Sequence, residues 1–152
     1  VAQGIAYAMD IPAIAVSTLQ AVAARAERER GFHRVLAVLG ARRNEVYWGA
    51  YEDNRALTPE RASDAAHVVL PDSGEWCLCG PGAKDLGAFA QSVKAQLTAV
   101  EPELFPAAWD VATLGAVRLA EGESVAAHAL EPIYLSSRGG WITKEQQRDS
   151  NA

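Results

Sequence analysis

The fold of this chain is decided by the stretch ARRNEVYWGAY, residues 41–51, in which a polar turn leads directly into a strand. An apolar run at 35–39 precedes it, so the two segments predict a β-hairpin with a connection of about five residues. In that connection, Arg42 and Arg43 either grip a phosphate or a partner's carboxylate, or form a solvated hairpin tip paired with Glu45. The stretch points to a fold and a partner protein more than to chemistry.

Upstream of the hairpin, the sequence predicts a helix, a strand and a second helix. Residues 1–9 have helical character, and the apolar run 12–16 predicts a short buried strand. Ser17 and Gln20 fit a capping box, in which a hydroxyl is followed by a glutamine three residues later. Apolar residues then recur at helical spacing up to Gly31, which stands where a left-handed C-cap belongs.

Downstream of the hairpin, the pattern changes from strands to helices. Residues 58–66 predict a weak helix opened by a threonine cap and a proline, and 75–79 predict a buried strand. Helices are predicted over 83–97 and 107–120, and the second is apolar almost all round, which predicts packing on more than one side. An extended segment is predicted at 133–135. This order predicts a layered α/β domain with a mixed sheet.

Charge and composition exclude several classes of function. The 14 basic and 19 acidic residues give a formal net charge of −5, which disfavours autonomous nucleic-acid binding. No run approaches the ~18 apolar residues of a membrane span, and the start is not a secretory signal. Four tryptophans are more typical of a core or an interface than of base stacking, because no basic patch surrounds them. They are Trp48, Trp76, Trp109 and Trp141.

The two cysteines, Cys77 and Cys79, flank Leu78 in the predicted strand. Residues two apart in a strand share a face, so we expect two small apolar side chains in a buried strand. A zinc site would need a second Cys or His pair at ligand spacing, which the sequence does not offer. We therefore expect neither a metal site nor a disulfide framework, and a reducing cytoplasm as the location.

Few residues suggest catalysis. The glycines of Gly80-Pro81-Gly82 form either a phosphate-binding turn or a tight strand-to-helix connection, but the full dinucleotide pattern and the P-loop lysine are missing. His33, His67 and His128 lack the spacing of a zinc protease, and we expect local structural roles for them. Asp110 is placed to favour the dipole of its helix. We expect no catalytic residue, no metal and no cofactor in this chain.

Three segments of the sequence, residues 2–23, 41–52 and 119–135, together resemble one family, the TsaB (YeaZ) proteins. AQGIAYAMDIPAIAVSTLQAVA, residues 2–23, resembles the helix-strand-helix that follows the first lobe of that family. ARRNEVYWGAYE, residues 41–52, resembles its hairpin, and LAEGESVAAHALEPIYL, residues 119–135, resembles its closing segment. Trp141 falls where a tryptophan usually follows. The order and spacing of the three segments carry the resemblance.

The resemblance implies a specific fold class. This is an α/β, ribonuclease-H-like lobe of the actin-like ATPase superfamily (sugar kinase/Hsp70/actin), with a mixed sheet and flanking helices. Residues 1–143 would form the C-terminal lobe, and 1–9 would be the tail of a helix from a first lobe that the sequence lacks. Residues 144–152 would be a polar, flexible tail.

The resemblance also implies a function. TsaB proteins are non-catalytic scaffolding subunits of the complex that makes N6-threonylcarbamoyladenosine at position 37 of tRNA. Their partners are TsaD-like and TsaE-like proteins and a second copy of the intact protein, and tRNA is contacted only through the complex. The interaction surface is expected at Arg42, Arg43, Ile5 and Met9. The alternative is an ATP-using or M22 glycoprotease-like enzyme whose active site lay partly in the missing lobe.

Two positions depart from the family pattern. Gly40 stands where the family usually has an aspartate, which removes a charge from the mouth of the hairpin. Ser136 stands where the family usually has an arginine, which removes a salt-bridge donor. Both changes concern the surface and leave the predicted fold unaffected.

Overall fold

The computed structural model describes residues 1–41, 45–133 and 135. Within this part of the chain, six strands form one mixed sheet in the order β3-β2-β1-β5-β6, and β4 also pairs with β2. The strands are β1 (Arg34–Gly40), β2 (Glu45–Glu52), β3 (Arg55–Ala56), β4 (Arg61–Asp64), β5 (Trp76–Cys79) and β6 (Leu97–Glu101). The helices are α1 (Ala2–Ala8), α2 (Thr18–Arg30), α3 (Gln91–Lys94) and α4 (Ala108–Ala120). None of these helices is long and apolar enough to cross a membrane.

The predicted hairpin is confirmed. β1 and β2 pair antiparallel from Arg34 opposite Glu52 to Gly40 opposite Val46. The N–H of Ala41 donates to the carbonyl of Glu45 at 2.9 Å, which holds the two strand ends together. The connection itself, with Arg42 and Arg43, lies outside the described residues.

The two faces of the sheet are covered by different layers because side chains alternate along each strand. One face packs against α2 and forms what we call the helix-side core. Its buried members are Leu19, Val22, Ala23, Ala26, Val35, Ala37, Tyr51, Cys77, Cys79 and Leu104. The other face packs against the short turns between β4 and β6 and forms the turn-side core. Its buried members are Leu36, Val38, Val46, Trp48, Ala50, Ala65, Val68, Trp76, Leu78, Ala83, Phe89 and Val93.

Helix α2 begins and ends as the sequence predicts, although only half of the capping box forms. The hydroxyl of Ser17 accepts from the backbone N–H of Leu19 at 3.1 Å and of Gln20 at 3.4 Å. The Gln20 side chain does not return to the cap, because its amide donates to the carbonyl of Asn54 at 2.8 Å. Gly31 closes the helix in the left-handed conformation, with φ of 69°.

Two predicted elements, the strand at 12–16 and the helix at 58–66, are wrong. The expected strand at 12–16 is reduced to one bridge, in which Ala13 and Val125 exchange two backbone hydrogen bonds of 2.9 Å. The other residues of this run form no strand, so the run does not join the main sheet. The expected helix at 58–66 is instead β4, because four residues pair with the free edge of β2. Pairing with a neighbouring strand overrides weak local propensity.

The expected helix over 83–97 is also wrong. The segment forms 3-10 turns at Pro81–Lys84 and Leu86–Ala88, and only α3 is helical. Strand β6 then pairs parallel with β5, a contact that the sequence analysis missed. No strand forms at Ile133 within the described residues, and the neighbouring Tyr134 lies outside them.

Cys77 and Cys79 are confirmed as buried, free thiols in β5. Removal from water raises the pKa of the Cys79 thiol to about 12, and the neighbouring Cys77 and Glu101 contribute in the same direction. In the unfolded chain the thiol ionises near pH ~8.5. The native state therefore holds a proton that the unfolded state releases between these two values.

The thiol of Cys79 makes stability depend on alkaline pH. The stabilisation that this protonated thiol contributes is fully present below about pH 8.5 and is lost as pH rises toward 12. The loss in free energy of unfolding amounts to about 1.4 kcal/mol at about pH 9.5. We expect urea unfolding to show this loss between about pH 7.5 and about pH 9.5, and Cys79→Ala to reduce it. An equal loss in the wild-type chain and Cys79→Ala would contradict the assignment to this thiol.

Candidate interaction surface

Helix α4 is attached to α2 by polar contacts at both of its ends. Near its start, Asp110 accepts two hydrogen bonds from Arg28, from Nε at 2.8 Å and from Nη2 at 2.9 Å. The Asp110 side chain is only 4% exposed, and the parallel pair of bonds fixes the helix in orientation as well as position. Hydrogen bonding to Asp110 raises the pKa of Arg28 above its usual value, so the arginine stays charged.

The far end of α4 is held by Arg118. Its guanidinium donates to the carbonyl of Ala15 and to the side-chain oxygen of Gln20, both at 2.6 Å. The same Gln20 side chain donates to the carbonyl of Asn54, so one residue of α2 links α4 to the turn between β2 and β3. These contacts hold α4 through its polar side chains.

Most of the large apolar side chains of α4 are exposed, and Leu114 is half-buried. The expected helix is confirmed, but the expectation that it packs on more than one side is wrong, because Asp110 is its one buried residue. Four large apolar side chains of α4 are exposed, and we call them the α4 surface. They are Trp109 (69% exposed), Val111 (39%), Val117 (54%) and Leu119 (53%). An element that exposes several large apolar side chains is a candidate interaction site.

Helix α1 presents a second apolar region. The Gln3 side chain fixes the helix by donating to the carbonyls of Ala127 and Leu130, both at 3.0 Å, and Ala6 is buried beneath it. Ile5 (53% exposed), Tyr7, Met9 (65% exposed) and Ile11 remain open on the outside. Ile5 and Met9, expected at an interaction surface, are thus accessible, and their contact with a partner stays a prediction.

An open cleft of about 470 Å³ lies between α2, the start of α4 and the turn after β2. Glu27, His33, Asn54 and Trp109 contribute to its wall. Asp53 and Asn54 turn the chain with positive φ of 46° and 61°, as a two-residue hairpin turn requires. The cleft thus joins the α4 surface to a group of charged side chains.

The histidines have local acidic neighbours in the structure. Nδ1 of His33 lies 2.8 Å from an Asp53 carboxylate oxygen, and Nδ1 of His67 lies 3.8 Å from Asp64. His128 lies beside α1 in a separate cleft. The sequence analysis missed the proximity of His33 to Glu27 and Asp53, because the three residues come from three separate elements and no local spacing joins them.

The turn after β5 is a tight connection. Gly80 has φ of 110°, and a Cβ placed there would lie 2.2 Å from the carbonyl oxygen of Val38. The segment that follows is a 3-10 turn, so the N-terminus of a long helix, which favours phosphate binding, does not follow Gly80. Of the two alternatives open from the sequence, the structure supports the connection.

A family model described as TsaD, tRNA N6-adenosine threonylcarbamoyltransferase, matches residues 1–130. The chain belongs to this family. Two curated relatives are both named tRNA threonylcarbamoyladenosine biosynthesis protein TsaB. The protein from Escherichia coli K12 is 36% identical and that from Haemophilus influenzae Rd is 28% identical, each covering 93% of this chain. The resemblance inferred from the three segments is confirmed.

Two solved structures agree with this assignment. YeaZ from Pseudomonas aeruginosa superposes with a TM-score of 0.81 at 36% identity, over 88% of this chain and 63% of that one. A P. aeruginosa protein described as similar to peptidase YeaZ superposes with a TM-score of 0.82 at 35% identity, with the same coverage. The mixed sheet with flanking helices is therefore the actin-like ATPase fold that the sequence predicts. This chain spans 64% of the length of each curated TsaB relative.

Proposed function

We propose that this chain belongs to a non-catalytic scaffolding subunit of the complex that makes N6-threonylcarbamoyladenosine at position 37 of tRNA. Its task is to hold a TsaD-like catalytic subunit. The observation that carries this proposal is the α4 surface, where a rigidly attached helix exposes four large apolar side chains. Support also comes from the relatives, which are named for threonylcarbamoyladenosine biosynthesis.

The polar attachment of α4 explains why its surface suits a protein partner. Arg28 and Arg118 fix the helix from the α2 side, so its apolar side need not reorganise when a partner binds. A preformed surface loses less conformational freedom on association, which favours affinity. Trp109 is the natural anchor, because tryptophan is enriched among the residues that dominate binding energy.

The partners follow from the same assignment. We include Ile5, Met9, Arg42 and Arg43 in the contact region, with TsaD-like and TsaE-like proteins and a second copy of the intact protein as the molecules they meet. The net charge of −5 favours indirect contact with tRNA, through the complex. A cytoplasmic location fits a role in tRNA modification.

The proposal is tested by measuring the affinity of this chain for a TsaD-like protein by surface plasmon resonance. We expect a saturable complex that Trp109→Ala weakens by at least about tenfold, because an aromatic anchor is lost. Val69→Ala is the matched control: Val69 is 58% exposed but lies in the layer on the other side of the sheet, and its replacement should leave the affinity unchanged.

Three outcomes would count against the proposal. Wild-type affinity in Trp109→Ala would remove the α4 surface from the contact. Failure of the wild-type chain to bind any TsaD-like protein would remove the scaffolding role. A rise in melting temperature with ATP and Mg²⁺ in the absence of a partner would instead support the ATP-using enzyme, since a ligand of the folded state stabilises it by mass action.

A further inference from the structure

Three potential metal ligands converge beside the cleft. They are the carboxylate of Glu27 in the last turns of α2, the imidazole of His33 just before β1, and the carboxylate of Asp53 in the turn after β2. One ligand atom from each residue lies within 4.8 Å of the other two. Nδ1 of His33 is 2.8 Å from Oδ1 of Asp53 and 4.0 Å from Oε1 of Glu27.

The backbone holds the three residues in place. The N–H of Asp53 donates to the carbonyl of His33 at 2.9 Å, so these two residues stay side by side. The Asn54 side-chain amide donates to the other oxygen of Glu27, which ties the helix to the turn. Gly31 ends α2 and directs the chain toward His33. These hydrogen bonds fix the backbone of His33 and Asp53 and the side chain of Glu27, although the side chains of His33 and Asp53 are 68% and 65% exposed. Such positioning lowers the ordering cost of binding an ion.

We propose that Glu27, His33 and Asp53 bind a divalent transition-metal ion, with Zn²⁺ as the best match to these donors. Zinc accepts imidazole nitrogen and carboxylate oxygen at ~2.0–2.2 Å in tetrahedral geometry, which separates neighbouring ligand atoms by roughly 3.3 Å. The distances from His33 of 2.8 Å and 4.0 Å bracket this separation, and the carboxylate oxygens of Glu27 and Asp53 lie within 4.8 Å of each other. Mg²⁺ and Ca²⁺ prefer six or more oxygen ligands and fit this set less well.

An independent feature of the same cleft supports the proposal. The side-chain oxygen of Asn54 is buried and has no hydrogen-bond partner among the described residues. Buried acceptors are normally satisfied by protein or water, so an unsatisfied one calls for an explanation. The nitrogen of the same amide donates to Oε2 of Glu27, so this oxygen belongs to a side chain that contacts one of the proposed ligands. A water molecule bound at the open position of a zinc ion would be a suitable donor to it.

The proposed ion has a structural role distinct from partner binding. It would clamp the end of α2, the start of β1 and the turn between β2 and β3 to one another. Ions that bind only the folded state stabilise it, and the stabilisation increases with the logarithm of the ion concentration once that concentration exceeds Kd. The zinc site and the α4 surface are separate proposals, and either one can fail without the other.

Isothermal titration of the reduced wild-type chain with ZnCl₂ alone tests the proposal. We expect one saturable site, a rise in melting temperature with Zn²⁺, and no comparable effect of MgCl₂. His33→Ala is expected to weaken zinc binding by at least about tenfold and to abolish the thermal shift. His67→Ala is the matched control, because His67 is also an exposed histidine beside an aspartate, but it belongs to no three-residue cluster of potential metal ligands among the residues that the structure describes.

Two further variants separate ligation from folding. Glu27→Gln keeps an oxygen that can accept from Asn54, and Asp53→Asn keeps a residue that tolerates positive φ. Both should fold normally and bind zinc more weakly. The absence of saturable Zn²⁺ binding to the wild-type chain, or equal affinity in the wild-type chain and His33→Ala, would overturn the proposal and leave His33 and Asp53 as a hydrogen-bonded pair.

Discussion

Replacing Trp76 with alanine is expected to lower the free energy of unfolding by ~3–5 kcal/mol. Trp76 is fully buried in the turn-side core, where it begins β5, and the guanidinium of Arg34 lies 4.3 Å from its ring centroid. The change removes the largest fully buried side chain among the described residues and leaves a cavity between β5 and the turns that cover it. Since domains of this size have ~5–15 kcal/mol of total stability, the loss is a large share.

Urea unfolding followed by circular dichroism measures this effect. Trp109→Ala is the matched control, because the same residue type is 69% exposed on α4 and its removal should change stability by less than about 0.5 kcal/mol. Trp76→Phe, which fills more of the space and removes a buried indole N–H without a partner among the described residues, should cost less than alanine. Similar losses for Trp76→Ala and Trp109→Ala would contradict the placement of Trp76 in the core.

Replacing Gly80 with alanine should destabilise the protein by roughly 2–6 kcal/mol. Two effects combine. The residue adopts φ of 110° and ψ of 165°, a region that side chains other than glycine rarely enter. The added Cβ would lie 2.2 Å from the carbonyl oxygen of Val38, so β1 or the turn must move. Because β1 and β5 are the central pair of the sheet, that movement disturbs both cores.

Gly4→Ala provides the control for the glycine series. Gly4 lies in α1 with nothing within 4 Å of the added Cβ, so the same substitution there should be neutral or stabilise by up to about 1 kcal/mol. Thermal melting of the two variants compares the effects directly. A Gly80→Ala variant that melts with the wild type would show that the turn relaxes without cost, contrary to this expectation.

Elements with strong local signals could be predicted from the sequence. Helix α2 has a capping residue at its start, Ser17, and a terminating glycine at its end, Gly31. Strands β1 and β2 are apolar segments joined by a short polar connection. Strands β4 and β6 could not be found in this way, because a few residues of weak propensity become strands only when a neighbouring edge accepts them. Their identity depends on tertiary pairing.

The candidate sites were harder to predict for the same reason. Asp110 was recognised at the start of its helix, but its partner Arg28 lies 82 positions away in sequence. The apolar composition of α4 predicts a buried helix, whereas in the structure Asp110 and Arg118 make the polar attachments and most of the large apolar side chains are exposed. Trp76 and Trp109 belong to one residue type, and only the fold distinguishes a core position from a surface one.

Side chains alternate between the two cores along β1, so the number of residues in this strand constrains the fold as strongly as their types do. Leu36 and Val38 fill one core while Val35 and Ala37 fill the other. Deleting a single residue would exchange the two sets, forcing leucine into the space of alanine against α2 and leaving voids on the opposite face. Insertions and deletions should therefore be accepted in surface connections such as 69–75 and rejected within the central strands.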